Sequence, residues 1–234
     1  MPEYLGAEQR RLLHAMDIDI WLPRVTDGGI AETESAATVP STAAGDPDWS
    51  ALESTVSACT QCSLHQTRSQ TVFGVGDPHA QWMIIGEAPG ADEDRQGEPF
   101  VGKAGQLLNE MLRAVGLSRQ RVYIANILKC RPPNNRNPRA EEIASCMDFL
   151  RHQVALVRPQ LILAVGRIAA QSLLDEDQPV GRLRGRTHYF GEQGHSVPVI
   201  VTYHPAYLLR SPGQKRKAWE DLCLARSLIE APGA

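Results

Sequence analysis

Several things are scarce or missing in this chain of 234 residues, and each absence narrows the possibilities. No run of about 18 apolar residues occurs, which excludes a transmembrane helix. A charged start followed by an apolar stretch is also missing, so no secretory signal is read and the chain is expected in the cytoplasm. There are only five cysteines. That is too few for a disulfide scaffold, and in a reducing compartment they point to metal or thiol chemistry. Aromatic residues make up 6%, too little for a groove-long stacking platform on single strands. No Gly-Lys-Ser/Thr follows a glycine at the spacing of a Walker phosphate loop. What remains, 42% hydrophobic and 22% charged, is ordinary and sufficient for one sizeable core.

A basic surplus is missing too, since the net charge is −3. The sum hides an asymmetry. Residues 1–58 hold ten acids against three arginines, a balance of −7, and the rest of the chain carries +4. Between residues 111 and 140 lie seven basic side chains (Arg113, Arg119, Arg121, Lys129, Arg131, Arg136 and Arg139) and no acid. Such a stripe is what a phosphate backbone would feel.

The chain reads as three parts. Residues 1–25 are polar with a short apolar patch that includes Leu12, Leu13, Ile20 and Trp21. They form either a helix docked on its own body or a tethered peptide that binds another protein. Residues 26–50 are rich in Ala, Thr, Ser, Gly, Pro and acid without an apolar face, and read as a disordered linker. From about residue 51 strands alternate with helices. Buried strands are expected at Trp82–Gly86, Val122–Ile127, Leu161–Val165 and Val197–Thr202. Helices are expected at Lys103–Val115, Ala140–Val157, Arg167–Leu174 and Lys215–Ile229. This alternation predicts an α/β fold with a parallel sheet between helices, and ligands at the carboxyl ends of the strands.

Unusual residues gather there. The first strand leads into Gly86-Glu87-Ala88-Pro89-Gly90 and on through Glu93 and Phe100 to Gly102, a long glycine- and acid-rich loop of the functional kind. The second ends at Asn126, whose amide offers a donor and an acceptor to one edge of a base. A proline-rich basic loop with Arg131 and Arg136 follows. The last strand ends at Thr202-Tyr203-His204-Pro205, with Pro205 opening a helix and His204 at its cap. Cys59 and Cys62 form a CxxC pair, joined at long range by Cys130 and Cys146. Four thiolates suit a zinc ion or an iron–sulfur cluster, and spacing does not choose. Cys223, in the apolar run of the last helix, reads as a small core residue.

GEAPGADEDRQGEPFVGKAGQLL, NILKCRPPNNRNP and HPAYLLRSP, together with those cysteines, resemble a family 4 (iron–sulfur) uracil-DNA glycosylase over about residues 52–230. The resemblance implies a three-layer α/β/α sandwich around a four-stranded parallel sheet. It also implies a [4Fe-4S] cluster on Cys59, Cys62, Cys130 and Cys146, and excision of uracil from DNA by a monomer. Carried over by position, Phe100 would stack on the flipped base, Asn126 would read its edge and His204 would donate to O2. Gly86 and Ala88 would aim backbone N–H groups at the same oxygen, while Glu87 and Glu93 line the pocket, with Glu87 preferred as the base. Leu208 and Arg210 are expected to wedge the DNA stack, with Arg131 and Arg136 on the backbone. Ala88 stands where the best-known uracil glycosylases carry a water-orienting Asp. The sequence also lacks the Gln and His of a related cross-linking subfamily, so no covalent adduct is expected. Competing readings are an iron–sulfur nucleic-acid binder without catalysis, and a nucleoside-phosphate hydrolase.

Overall fold

A computed structural model describes residues 47–191 and 196–230. The readings for residues 1–25 and for 26–46 lie outside them. The first helix, α1 (Pro47–Ser57), begins inside the stretch assigned to the linker. It does so because Trp49 has a place to go: its ring packs edge-on against Phe73 at 5.3 Å and Tyr123 at 5.1 Å.

The order then runs β1 (Val75–Gly76), β2 (Trp82–Gly86), α2 (Ala91–Gln96), α3 (Lys103–Ala114), β3 (Tyr123–Asn126), α4 (Ala140–Val157) and β4 (Leu161–Val165). After these come α5 (Arg167–Leu174), α6 (Val180–Leu183), β5 (Thr187–Phe190), β6 (Val197–Thr202), α7 (Pro205–Arg210) and α8 (Lys215–Glu230). No helix among the described residues is long and apolar enough to cross a membrane.

Among the described residues the sheet has six strands in the order β1-β3-β2-β4-β6-β5, not the expected four. Four parallel strands form its middle, and an antiparallel strand closes each edge. The two extra strands escape sequence reading for a physical reason. They are two and four residues long and largely half-exposed, so no apolar run marks them. By contrast β2, β3 and β4 are buried at every position, as continuous apolar strands covered on both faces must be.

Alternation along those strands sorts the core into two layers. Met83, Ile85, Ala125, Ile162, Ala164 and Val201 face Cys146, Leu150 and Val154 of α4 together with Ala169 and Leu173 of α5. Ile84, Ile124, Leu163, Val165 and Ile200 face Leu108, Met111 and Leu112 of α3 and Leu222 and Ala225 of α8. Each such buried aliphatic side chain contributes roughly 1.5–3 kcal/mol before entropy, so the strand ends are held by a rigid base. Helix α4 opens on the Glu142 carboxylate, which accepts from the Arg139 N–H at 2.8 Å. It stops at Arg158, left-handed with φ 51°, before Pro159. Cys223 is exposed on α8, not a core residue.

Candidate active site

The parallel register sets Gly86 at the end of β2 beside Asn126 at the end of β3. Beyond the strands the pairing continues, with Ile127 N–H donating to Gly86 O at 2.9 Å and Leu128 N–H to Glu87 O at 3.1 Å. Gly86 is required here by close approach. A Cβ on it would lie 2.4 Å from Asn126 Oδ1 and 2.6 Å from the Phe100 ring. Phe100 in turn lies against His204, ring centroids 5.6 Å apart and planes at 28°. Phe100, Asn126 and His204 thus line one cleft of about 490 Å³, within the range of small-ligand sites. Glu87, Ala88, Glu93, Arg136, Tyr207 and Arg210 are among the other residues that line it.

His204 caps α7. Its Nδ1 accepts from Ala206 N–H at 3.1 Å, so the ring proton sits on Nε2. Burial, aided by the charge of Arg210, pushes its pKa down to about 4. At neutral pH the ring is therefore an uncharged donor. Glu87 is moved the other way: burial raises its pKa, and the positive charge of Arg167 opposes the rise.

Glu93 shares the cleft but is already occupied. One oxygen accepts from Gly90 N–H at 3.1 Å, and the other accepts from Val101 and Gly102 N–H at 3.1 and 3.4 Å. The loop expected between residues 86 and 102 is closed by this carboxylate and by α2. Asp94, buried on α2, accepts from Ser69 N–H with both oxygens at 2.9 and 3.1 Å.

The expected DNA contacts divide. Arg210 is exposed at the cleft mouth, and Arg131 is half-exposed, its Nε donating to Asn135 Oδ1 at 2.8 Å. Arg136 lines the cleft but forms a forked ion pair with the buried Glu142, at 2.5 and 2.8 Å. Leu208 is not a wedge: it is 0% exposed within the α3–α8 core layer. On α7 Pro205 and Leu208 share the inward face, one helical turn apart, and Tyr207 (37% exposed) and Leu209 (45%) point outward instead. That phase was readable from Pro205 onward.

The basic stripe is also mostly spoken for. Lys129 is buried, Arg119 turns inward to the Pro99 and Phe100 carbonyls, and Arg113, Arg136 and Arg139 pair with Glu110, Glu142 and Glu141. The pairing acids stand just outside the window 111–140, which is why the stripe looked unopposed.

On the α4 side of the sheet, Cys59, Cys62, Cys130 and Cys146 line a second, small cavity with His65, Arg68 and Phe149. Two sulfurs accept hydrogen bonds, Cys130 Sγ from Arg68 Nη1 at 3.1 Å and Cys146 Sγ from Lys129 N–H at 3.3 Å. Burial raises the pKa of both thiols. Among the described residues, no three His, Cys, Asp or Glu side chains are placed to share a single metal ion.

Residues 73–223 match the Uracil DNA glycosylase superfamily. The type-4 uracil-DNA glycosylase of Archaeoglobus fulgidus is 46% identical over 170 residues, which cover 71% of this chain and 85% of the relative. Those of Pyrobaculum aerophilum (40% over 181 residues, 76% and 92%) and Thermotoga maritima (41% over 182 residues, 76% and 93%) are similar to the same extent of the chain. The chain belongs to this superfamily and, within it, to the type-4 uracil-DNA glycosylases.

Proposed function

We propose that the cleft between Phe100, Asn126 and His204 binds a uracil flipped out of DNA, and that the protein hydrolyses its N-glycosidic bond and leaves an abasic site for base excision repair. The convergence of those three side chains on one cleft carries the reading. A base must leave the stack to be reached, at a cost of a few kcal/mol that a U·G mispair lowers. Phe100 offers the flipped ring a stacking face. Asn126, 2% exposed, offers a donor and an acceptor, and the amino edge of cytosine would leave buried groups unpaired, which is the strong form of discrimination.

As the glycosidic bond breaks, the sugar becomes oxocarbenium-like and the electron pair collects on the uracil as charge at O2. The Nε2–H of a neutral His204 and the N–H groups of the Gly86–Ala88 turn are donors suited to that oxygen. One such donor is typically worth about 3 kcal/mol. A neutral imidazole has a further merit: it can stabilise the anion without giving up its proton. Glu87 is the carboxylate free to orient water toward the sugar, because Glu93 is held by the loop. At the rim of the cleft, Leu209 and Tyr207 take the wedge role expected of Leu208, with Arg210 and Arg131 on the phosphates. One copy of the chain supplies every residue named, consistent with a monomer.

The cysteine cavity fits a [4Fe-4S] cluster. Four thiols spread around a cavity, with N–H donors on Cys130 and Cys146, suit a polynuclear centre better than one tetrahedral ion. Cys59, Cys62, Cys130 and Cys146 would hold it, and it would then cross-link residues 59–62, the basic loop and α4. The test of the whole reading is alkali-sensitive nicking of a uracil-containing oligonucleotide by purified protein, with loss of nicking in Asn126→Ala. Undiminished nicking by that variant would remove Asn126 from the site, and iron and sulfide analysis decides the metal.

A further inference from the structure

Phe100 stands in the left-handed backbone region, φ 55°, which bulky residues rarely adopt. Such a conformation persists only where surroundings over-determine it. Two charged side chains of opposite sign do so. After Phe100, Glu93 accepts from the N–H groups of Val101 and Gly102. Before it, Arg119 donates from Nη1 to the Phe100 carbonyl at 3.3 Å and from Nη2 to the Pro99 carbonyl. The Phe100 carbonyl packs closely on Gly105, where an added Cβ would lie 1.7 Å from it.

Arg119 is 17% exposed, with Glu98 Oε2 at 3.9 Å as its only acidic neighbour within ion-pair reach among the described residues. It opens the short 3₁₀ turn Arg119–Arg121 that feeds β3, the strand that ends in Asn126. Its guanidinium therefore does not serve the surface stripe in which the sequence placed it. A planar fork can hold two successive carbonyls at once, which an ammonium cannot do in the same geometry. We propose that Arg119 is a positioning residue for base binding: it locks residues 99–100 so that the Phe100 ring keeps its place over the cleft. The inference rests on the reading of Phe100 as the stacking platform for uracil.

The experiment is a double-mutant cycle read as the inhibition constant of free uracil, with uracil-containing oligonucleotide as substrate and thermal midpoints measured alongside. Phe100→Ala is expected to weaken uracil about tenfold, the low end of what base–aromatic stacking contributes. Arg119→Met should reproduce most of that loss and Arg119→Lys a part of it. In the Phe100→Ala background, Arg119→Met should add less than about twofold, since a residue that acts through the ring has nothing left to position. A purely structural role would shift the midpoint equally in both backgrounds and leave uracil inhibition alone. The proposal is overturned if Arg119→Met leaves the constant unchanged, or raises it by the same factor with and without Phe100. Should Arg119→Met not fold, the same cycle with Arg119→Lys decides. Wild-type inhibition of Phe100→Ala would overturn the platform reading and the proposal with it, whereas additivity overturns the proposal alone.

Discussion

The base cleft and the cysteine cavity lie in one domain and are held by opposite means. The cleft takes Gly86 and Asn126 from the tips of buried parallel strands, so its geometry is inherited from the core and its register. The cysteine cavity draws Cys59, Cys62 and Cys130 from irregular segments, and only Cys146 from a long helix. Its known ties are N–H···S bonds and the packing of α1 on α4. A site made of strand ends is preorganised before any ligand arrives, whereas one made of loops needs the bound group to complete it.

The contrast is sharpest in what each site loses on mutation. His204→Ala is expected to lower kcat on uracil-containing DNA by about 10²–10³, the cost of one oxyanion donor, with a fall in thermal midpoint of only about 2–4 °C from the lost cap on α7. Cys130→Ser should do the reverse. A loss of a few kcal/mol of stability would lower Tm by roughly 2–4 °C per kcal/mol. Visible absorbance should fall with it, while kcat per folded molecule stays within about threefold. Calorimetry and single-turnover rates on both variants separate the cases. Cys130→Ser that stops turnover at an unchanged Tm would break the comparison, for the cysteines would then belong to the chemistry.

Much of this was legible beforehand, and the misses share a cause. The four long apolar strands and the helices after them follow from periodicity, because burial on both faces leaves no room for polar residues. Phe100, Asn126 and His204 could be grouped because a parallel sheet sends its strand ends to one rim. Edge strands could not be read, being short and wet. Nor could the fate of the arginines: a count over a window cannot see that Glu142 is buried beneath Arg136, or that Arg119 turns to carbonyls. Leu208 was misplaced by reading its type and not its phase on α7. Cys223 was misplaced the same way on α8.

The pH dependence offers a milder perturbation confined to the cleft. In its proposed role Glu87 would have to ionise to orient water, and burial raises its pKa above the ordinary 4.5, so the acid limb of kcat should lie above that value. Arg167→Met removes the charge that opposes the rise and should move the limb to higher pH. Glu87→Gln should flatten the limb, since His204 protonates only near pH 4. Stability has its own sign here. His204 binds its proton less readily folded than unfolded, so its contribution is complete above about pH 6.5 and declines as pH falls toward 4. An acid limb that persists unchanged in Glu87→Gln would assign the base elsewhere.

The smallest effect is expected where the two regions touch. Lys129 is 1% exposed, and its Nζ donates to the Asn126 carbonyl at 2.8 Å and to Gln153 Oε1 at 2.6 Å. Its own N–H meets Cys146 Sγ, so one residue spans the cysteine cavity and the strand tip that carries Asn126. Gln153 passes the network on to the Phe73 carbonyl and Tyr123 Oη at 2.9 and 3.1 Å. Asn126 is nonetheless anchored by its sheet partner Gly86, and a single hydrogen bond is worth about 1 kcal/mol net. Lys129→Met should therefore raise KM about fivefold, far less than Asn126→Ala, with iron content retained. If it released the iron and left KM untouched, Lys129 would belong to the cysteine cavity alone, and the two regions would be independent neighbours.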